Sequence, residues 1–295
     1  MAEKRKFYGM RNDYMFHAVL QKNEEVLRNL LATLLEIDEA EIESCHIENP
    51  IELGKEIEGK ECILDVKLTL NNDKVINIEL QVYKQTHWIN RSLLYWARTY
   101  DNLKSGQDYS MLLPAYHIGI LDFTLFENHP KFMAQYQILD VEDGYLYSDK
   151  LCIKVLDLTQ LEKAKQEPET NKKLLKWASI FKAETLEELE QLASGEEVFE
   201  NMVVTMKKLS EDEKIRMQCE AREDYERSLL TEYNAGKSEG MEQGIASERR
   251  NTEKERQRAE KESQRAEKER QRAEKESQRA DALAAEVKRL RALLK

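Results

Sequence analysis

The chain has 295 residues, of which 41% are hydrophobic and 35% are charged, and its formal net charge is −11. The length allows one large domain or two smaller ones, and the charged fraction exceeds the usual level of roughly 25%. No apolar run approaches the ~20 residues of a membrane-spanning helix, and the N-terminal sequence has no signal-peptide core, so a membrane protein and a secreted protein are not expected.

The four cysteines are widely separated and form no CxxC pair. This spacing argues against a zinc site or a disulfide framework and favours a reducing cytoplasm. Residues 237–295 contain 17 Lys and Arg against 13 Asp and Glu, a net of +4, so the preceding residues carry −15. An acidic body weakens the case for nucleic acid as a partner but does not exclude it, because the carboxylates of a metal-dependent nuclease are acidic until metal binds.

The first predicted elements are two helices and a strand. Asp13 is placed to cap a helix, and an apolar stripe at helical spacing over 26–35 predicts a second one. The segment 46–53 predicts a first strand, and Pro50 suits the edge of a sheet.

Residues 62–83 predict a β-hairpin around the turn at 71–73, because apolar and polar residues alternate along both arms. The apolar faces comprise Leu64, Val66, Leu68 and Leu70, then Ile76, Ile78, Leu80 and Val82. The other faces comprise Ile63, Asp65, Lys67 and Thr69, then Asn77, Glu79 and Gln81.

The register of this hairpin brings two carboxylates together. A three-residue loop pairs Leu70 with Lys74 and places Asp65 opposite Glu79, with α-carbons roughly 4.5–5.5 Å apart. A two-residue loop would pair residues of different faces. Two anions this close repel unless one is protonated or a cation lies between them, and hard oxygen ligands suit Mg²⁺ or Mn²⁺. The hairpin alone also permits a simpler interpretation, a solvated polar face with a fortuitous carboxylate pair.

A helix is predicted over 85–105, ended by Gly106, and a buried strand over 116–123, so that strand, helix and strand form a crossover unit. One face of the helix carries Arg91, Tyr95 and Arg98. The two arginines are either solvent-exposed or placed to contact phosphate, which arginine binds bidentately.

The next segments predict a second hairpin, over 135–141 and 151–158, and then helices from Asn171, over 197–206 and from Ser210, where Ser210 and Glu213 form a capping-box pattern. These helices predict packing rather than chemistry.

The C-terminal segment predicts a long charged helix. Glycine recurs at 236, 240 and 244, and four heptads of the type EKERQRA or EKESQRA fill 253–280. These heptads place Ala and Glu at the positions that a coiled-coil seam requires to be apolar, so the helix is favoured by its charge pairs instead. A better seam follows at Leu283, Val287, Leu290 and Leu294, which favours self-association, with a homodimer as the expected form.

The ordered motifs resemble the Rpn family of recombination-promoting nucleases and transposases, within the PD-(D/E)XK nuclease superfamily. The resemblance covers roughly 7–158. It is carried by NDYMF at 12–16, ILDVK at 63–67, IELQ at 78–81, RSLLY at 91–95, GQDYSMLLP at 106–114 and IGILDF at 118–123.

The resemblance implies a mixed α/β fold of the restriction-endonuclease type, with helices flanking a mixed sheet, followed by a helical region and the long charged helix. It also implies Mg²⁺-dependent cleavage of DNA, with Mn²⁺ as an alternative ion. Asp65 and Glu79 would be the metal ligands, and Gln81 stands where most of the superfamily has Lys. Lys67 or Lys84 is then expected to supply the missing positive charge. Asp13 matches the acid that the superfamily often takes from its first helix, although its role as a helix cap would explain it equally well.

The expected organisation is a nuclease-like core over 1–160, a helical subdomain over 161–235 and a hinge with charged helix over 236–295. Arg91, Arg98 and Tyr95 are the expected DNA contacts. The predicted function is a metal-dependent DNA endonuclease of recombination or transposition. The alternative is an inactive nuclease fold that acts in binding or assembly through its C-terminal helix.

Overall fold

The computed structural model describes residues 6–51, 53, 65–84 and 87–293, without the side chains of 285 and 288–293. The chain forms two compact units, Met1–Ser228 and Leu229–Lys295. Within the described ranges, no helix combines the length and the apolar character needed to cross a membrane.

Helices and strands alternate in the first unit, which confirms the mixed α/β class. The helices are α1 Asp13–Lys22, α2 Glu24–Leu35, α3 Trp88–Tyr100, α4 Leu161–Ala164, α5 Lys172–Lys182, α6 Leu186–Ala193, α7 Glu197–Glu211 and α8 Glu213–Leu293. The strands are β1 Cys45–Ile47, β2 Val66–Leu70, β3 Lys74–Gln81, β4 Ala115–Leu121, β5 Met133–Leu139 and β6 Leu146–Asp157.

The six strands form one mixed sheet in the order β1-β2-β3-β4-β6-β5. Strands β3, β4 and β6 are parallel neighbours at its centre, and antiparallel pairs complete both sides. Strand β1 forms one edge of the sheet, which agrees with the expectation that a strand close to Pro50 lies at an edge. The parallel pairing of β3 with β4 confirms the predicted strand-helix-strand unit, because α3 connects the two.

The two faces of the sheet carry different cores. Alternate apolar residues of β2, β3 and β4 pack with α1, α2, α5 and α7 in one large core, which contains residues from Tyr8 to Cys219. This core therefore includes side chains from both sides of residue 160. On the other face, a smaller core around Trp88 fills the space between α3, β4 and β6.

The β2–β3 hairpin has the predicted register, with Leu70 opposite Lys74 and Val66 opposite Ile78. Asn71 and Asn72 adopt φ values of 49° and 55°, which asparagine tolerates better than most residues. The side chain of Asn71 also accepts hydrogen bonds from the backbone of Glu43 and Ser44, which ties the loop to the segment before β1. Residues 62–64, where the first arm was predicted to begin, lie outside the described residues.

Three predicted helix boundaries were wrong. Asn12, and not Asp13, caps α1 by accepting from Met15 N–H. Asp212, and not Ser210, accepts from the first turn of α8. Helix α3 ends at Tyr100, before Gly106, which lies instead in a later turn at φ 86°. In each case a neighbouring side chain or loop satisfies the terminal backbone groups first.

The second unit consists of the continuation of α8, so the predicted helix through the charged heptads is confirmed. Leu283 and Val287 are exposed in it. The remaining seam positions, the side chain of Leu290 and residue Leu294, lie outside the described part of the chain. Self-association through this seam remains a prediction.

Candidate active site

Asp65 and Glu79 lie together on the face of the sheet that α3 covers. Glu79 is in β3 and fully buried, and Asp65 immediately precedes β2 and is 6% exposed. One step beyond the pair Val66–Ile78, the observed register places Asp65 opposite Glu79. The predicted solvated polar face is therefore wrong, because the two carboxylates are buried.

Helix α3 can approach the sheet closely because β4 carries Gly119 beside Glu79. A β-carbon at Gly119 would lie 2.4 Å from Cζ2 of Trp88. The indole therefore occupies the place of a side chain on β4, and α3 seals this part of the polar face from water. Sequence alternation alone showed which residues share the face but not that a helix would cover it.

The charge of Glu79 is balanced by Arg91 of α3, whose Nη2 lies 2.7 Å from Oε1 of the carboxylate. The same guanidinium lies over the ring of Tyr95, 5.1 Å from its centroid. Burial, and after it the charge of Glu79, raise the pKa of Asp65 to about 7, while Arg91 and the amide of Asn77 act in the opposite direction. The site thus holds two carboxylates that do not readily ionise together.

Asn77 and His117 connect the two carboxylates. They are neighbours in the parallel pairing of β3 with β4. Nδ2 of Asn77 donates to Oδ2 of Asp65 over 3.4 Å and contacts Nδ1 of His117 at 3.2 Å. If Nδ1 accepts from this amide, the ring proton of the neutral imidazole lies on Nε2, which is 3.4 Å from Oε2 of Glu79.

A second group of charges adjoins this pair where α8 meets the start of α1. We refer to it as the α1–α8 ionic cluster, formed by Arg11, Asp13, Arg222, Glu223 and Glu226. Nε of Arg222 lies 3.0 Å from both carboxylate oxygens of Asp13. The negative charge of Asp13 contributes to the raised pKa of Asp65, so the cluster lies within electrostatic reach of the candidate site.

The interpretation of Asp13 as the cap of α1 is wrong. Its carboxylate is buried and ion-paired with Arg222 rather than bonded to the first turn of α1. Glu226 belongs to the same cluster, and burial, then the charge of Asp13, raise its pKa to about 7. The acidic side chains of this region therefore repel one another: Asp65 is opposed by Glu79 and Asp13, and Glu226 by Asp13 and Glu223.

The other predicted site residues are distributed differently. Gln81 ends β3 on the face of Glu79, half-buried, and its side chain makes no hydrogen bond to another described residue. Lys67 and Lys84 lie in ion pairs with Glu48 at 2.9 Å and with Glu127 at 2.7 Å. Arg98 is exposed two helical turns beyond Arg91. The structure therefore brings Arg91 and Tyr95 to the carboxylates and leaves Arg98 at the surface.

His117, Arg222 and Glu226 had not been identified from the sequence. His117 occupies a polar position within the apolar strand β4, which is a detectable signal, but its partner depends on a parallel register that no short turn fixes. Arg222 lies 209 residues from Asp13 in a charged helix, where neither pattern nor spacing indicates a partner.

The donor set fits a hard divalent cation. Both oxygens of Glu79 are buried and accept no well-directed hydrogen bond from a described residue, despite the ion pair with Arg91. Two carboxylates with water are a common protein contribution to a Mg²⁺ site. Among the residues that the structure describes, no group of three or more His, Cys, Asp or Glu side chains is arranged to hold a metal ion. Asp65 and Glu79 could contribute two carboxylate ligands, with water as the others.

One family model, described as PD-(D/E)XK nuclease family transposase, matches residues 10–233. The match includes all six strands, α1 to α7 and the start of α8. Neither a curated protein nor a solved structure matches the chain.

Proposed function

The chain belongs to the PD-(D/E)XK nuclease family of transposases, and on this premise we propose that it is a Mg²⁺-dependent DNA endonuclease, with Asp65 and Glu79 as the metal ligands and Mn²⁺ as a second competent ion. The family supports a nuclease-like activity. Metal dependence, endonucleolytic cleavage of DNA and a role in recombination or transposition are the proposal.

The observation that carries the proposal is the burial of two opposed carboxylates. Burial beside a second carboxylate opposes the ionisation of Asp65, whose pKa is raised. Such a pair lowers the stability of the fold unless a cation compensates it. A divalent ion would compensate both charges at once, which would explain why the two carboxylates are buried together.

When bound, the ion would lower the pKa of water and stabilise negative charge on the scissile phosphate. The chain supplies the rest. Gln81 would orient the attacking water by hydrogen bonding, although its amide adds no positive charge. Arg91, with its guanidinium over Tyr95, would hold a phosphate oxygen, and Asn77 and His117 would fix the orientation of the two carboxylates.

The positive charge that Lys provides elsewhere in the superfamily has two candidate sources, Lys67 and Lys84. Each would have to leave its ion pair, with Glu48 or Glu127, to reach the reacting phosphate. Replacement of each by Met tests this hypothesis, and unchanged cleavage by both variants would exclude it.

The substrate is proposed to be DNA, and the contacts proposed here specify no target sequence. Contacts from Arg91 to phosphate would position the backbone and read no base. Arg98 is kept as an outer phosphate contact, since it is exposed on the same helix.

The experiment that tests the function is nicking of supercoiled plasmid with Mg²⁺ or Mn²⁺. Wild type is compared with Asp65→Ala and Glu79→Ala, purified identically, and with Lys104→Met as an exposed surface control. We expect nicking by wild type and by the control, and none by the two site variants. Equal nicking by all four proteins would show a contaminating nuclease and reject the site.

The second function, an inactive fold that acts in binding or assembly through α8, is favoured by one observation. Both lysines that could replace the missing catalytic charge are engaged in ion pairs outside the carboxylate site. If wild type fails to nick plasmid with either ion while remaining folded, this second function replaces the first.

A further inference from the structure

Arg91 makes the contact that a metal ion would need. Its Nη2 lies 2.7 Å from Oε1 of Glu79. Glu79 is fully buried, and a buried carboxylate without a counter-charge is strongly destabilising. Among the residues that the structure describes, Arg91 is the arginine or lysine that contacts Glu79, so without metal it stabilises an ionised Glu79.

The metal and Arg91 cannot use this carboxylate independently. Mg²⁺ lies about 2.0–2.1 Å from its oxygen ligands, and the guanidinium is already in contact with the same small group. Two cations on one buried carboxylate repel each other, so binding of the ion weakens the contact with Arg91.

The side chain of Arg91 can also adopt a position nearer to solvent. Arg91 lies in the first turn of α3, its side chain is 29% exposed, and its guanidinium rests on the ring of Tyr95. A small rotation of the side chain would carry its charge from the buried carboxylate towards solvent, where a phosphate oxygen would be its natural partner.

We propose that Arg91 is an exchangeable counter-cation, which neutralises Glu79 in the metal-free protein and passes to the DNA phosphate when a divalent ion takes its place. This inference rests on the proposed function, since it requires a metal site at Asp65 and Glu79. It adds that metal and DNA bind cooperatively through one side chain, because each partner favours the position of Arg91 that the other needs.

The first test is calorimetric titration of the full chain with Mg²⁺, without DNA, at pH 8.5 to limit competition from protons. Arg91→Met removes the competing cation, so its dissociation constant for Mg²⁺ should fall by about 10-fold, within the usual range of such couplings. Lys104→Met removes one positive charge from an exposed position after α3 and should leave the constant unchanged. Asp65→Ala should abolish binding.

Arg91→Met leaves Glu79 without its counter-charge and lowers the stability of the metal-free fold, so near-ultraviolet circular dichroism must accompany the titration. Arg91→Lys keeps a charge but loses the planar pairing, and it should bind Mg²⁺ more tightly than wild type and less tightly than Arg91→Met. If both variants bind Mg²⁺ as wild type does, or more weakly, the exchange is rejected while the metal site stands.

Absence of Mg²⁺ binding by wild type and by both Arg91 variants would reject the metal site and the exchange together. Binding by Arg91→Met alone would support the exchange in its strongest form, with Arg91 blocking the site. These outcomes separate failure of the proposed function from failure of this inference.

The second test measures the affinity for a short duplex DNA by fluorescence anisotropy. Ca²⁺ serves as a divalent ion that is expected to bind without supporting cleavage. Arg91→Met should weaken DNA binding in Ca²⁺ by about 10-fold, since a lost charge-assisted contact is worth roughly 1.5–3 kcal/mol, and should have no effect in EDTA, where Arg91 is held by Glu79. An equal loss under both conditions would show that Arg91 contacts DNA without exchanging.

Discussion

Gly119 and Trp88 are in such close contact that a side chain on Gly119 would require the indole to move. A β-carbon on Gly119 would lie 2.4 Å from Cζ2 and 2.9 Å from Cη2 of Trp88. The indole is buried on both sides and cannot move without disturbing the small core beneath α3. The contact also fixes the start of the helix that carries Arg91.

We expect Gly119→Ala to lower the free energy of unfolding by about 1–3 kcal/mol, because it overpacks this contact. Urea unfolding followed by tryptophan fluorescence measures the change. In a Trp88→Leu background the same substitution should be less destabilising, since the clash is then gone. If the losses of stability caused by Gly119→Ala and Trp88→Leu are additive, the close contact between the two residues does not limit stability.

Glu226 gives the fold a pH dependence with a definite sign. Its pKa is raised from 4.5 to about 7, by burial first and then by Asp13 and Glu223, against the opposing effect of Arg222 and Arg11. Tyr83, two residues beyond β3, lies within electrostatic reach of this carboxylate. The unfolded chain therefore loses this proton at lower pH than the folded chain, and stability falls as the pH rises from about 4.5 to 7.

Replacing Glu226 by glutamine removes this loss of stability at higher pH. Glu226→Gln should match wild type near pH 4.5 and become more stable than wild type above pH 7, by an amount of the order of 2 kcal/mol. The measurement is urea unfolding at a series of pH values. Glu220→Gln, an exposed change six residues away on α8, is the control for removing one carboxylate from this helix. A difference in stability between Glu226→Gln and wild type that is constant with pH would contradict the raised pKa of Glu226.

The candidate site illustrates which residues a sequence can place. Asp65 and Glu79 were placed opposite each other because a three-residue loop fixes an antiparallel register, and the observed pairing agrees. His117 was not placed, because the register between β3 and β4 depends on how α3 packs. Arg222 was not placed either, because its pairing with Asp13 follows from tertiary packing alone.

At the scale of elements, the β2–β3 turn depends on two residues with positive φ. Asn72 has φ 55° and is exposed, so its backbone conformation rather than its packing limits substitution. Asn72→Gly should leave stability unchanged within about 0.5 kcal/mol. Asn72→Val should lower it by about 1–2 kcal/mol, since a β-branched residue is disfavoured there.

Thermal unfolding of the two variants, with wild type alongside, tests this prediction. If Gly and Val are equally tolerated, the turn can adopt another conformation, and the register that places Asp65 opposite Glu79 is less firmly fixed than its hydrogen bonds suggest. Mg²⁺ affinity of the Val variant would then show whether the carboxylates still meet.

Predicted elements agreed with the structure where the pattern was long and the signals were local. The hairpin, the crossover unit and the charged helix have strong periodicity over many residues. Helix α3 was predicted too long, because Gly106 was the nearest end signal in the sequence. In the structure, the side chain of Asn102 hydrogen-bonds to both the N–H and the C=O of Leu113, and the chain leaves the helix before Asn102. Such a contact across eleven residues has no local signature.

At the scale of the whole molecule, the described members of the large core run from Tyr8 to Cys219, all within the first unit. A chain ending at Ser228 should therefore fold and keep the thermal stability of the first unit, within the few degrees that surface changes cause. It should also retain plasmid nicking if the proposed function holds. Aggregation of this shorter chain would show that the charged helix is needed for the fold.

The charged helix carries the other prediction at this scale. Leu283 and Val287 are exposed, and the apolar seam they begin is short, so the full chain should self-associate weakly. Light scattering at increasing protein concentration should show association by the full chain and none by the chain ending at Ser228. Leu283→Glu should abolish it in the full chain.

The ion pair between Asp13 and Arg222 has a consequence for how the protein is made. A ribosome that adds roughly 5–20 residues per second synthesises Asp13 long before Arg222, and the α1–α8 ionic cluster cannot form until residue 222 has emerged. The 67 residues from Leu229 to Lys295 then require about 3–13 s more at this rate. Protease resistance of stalled nascent chains should appear only once Arg222 is outside the exit tunnel, so translation itself would postpone assembly of the site until the charged helix is being made.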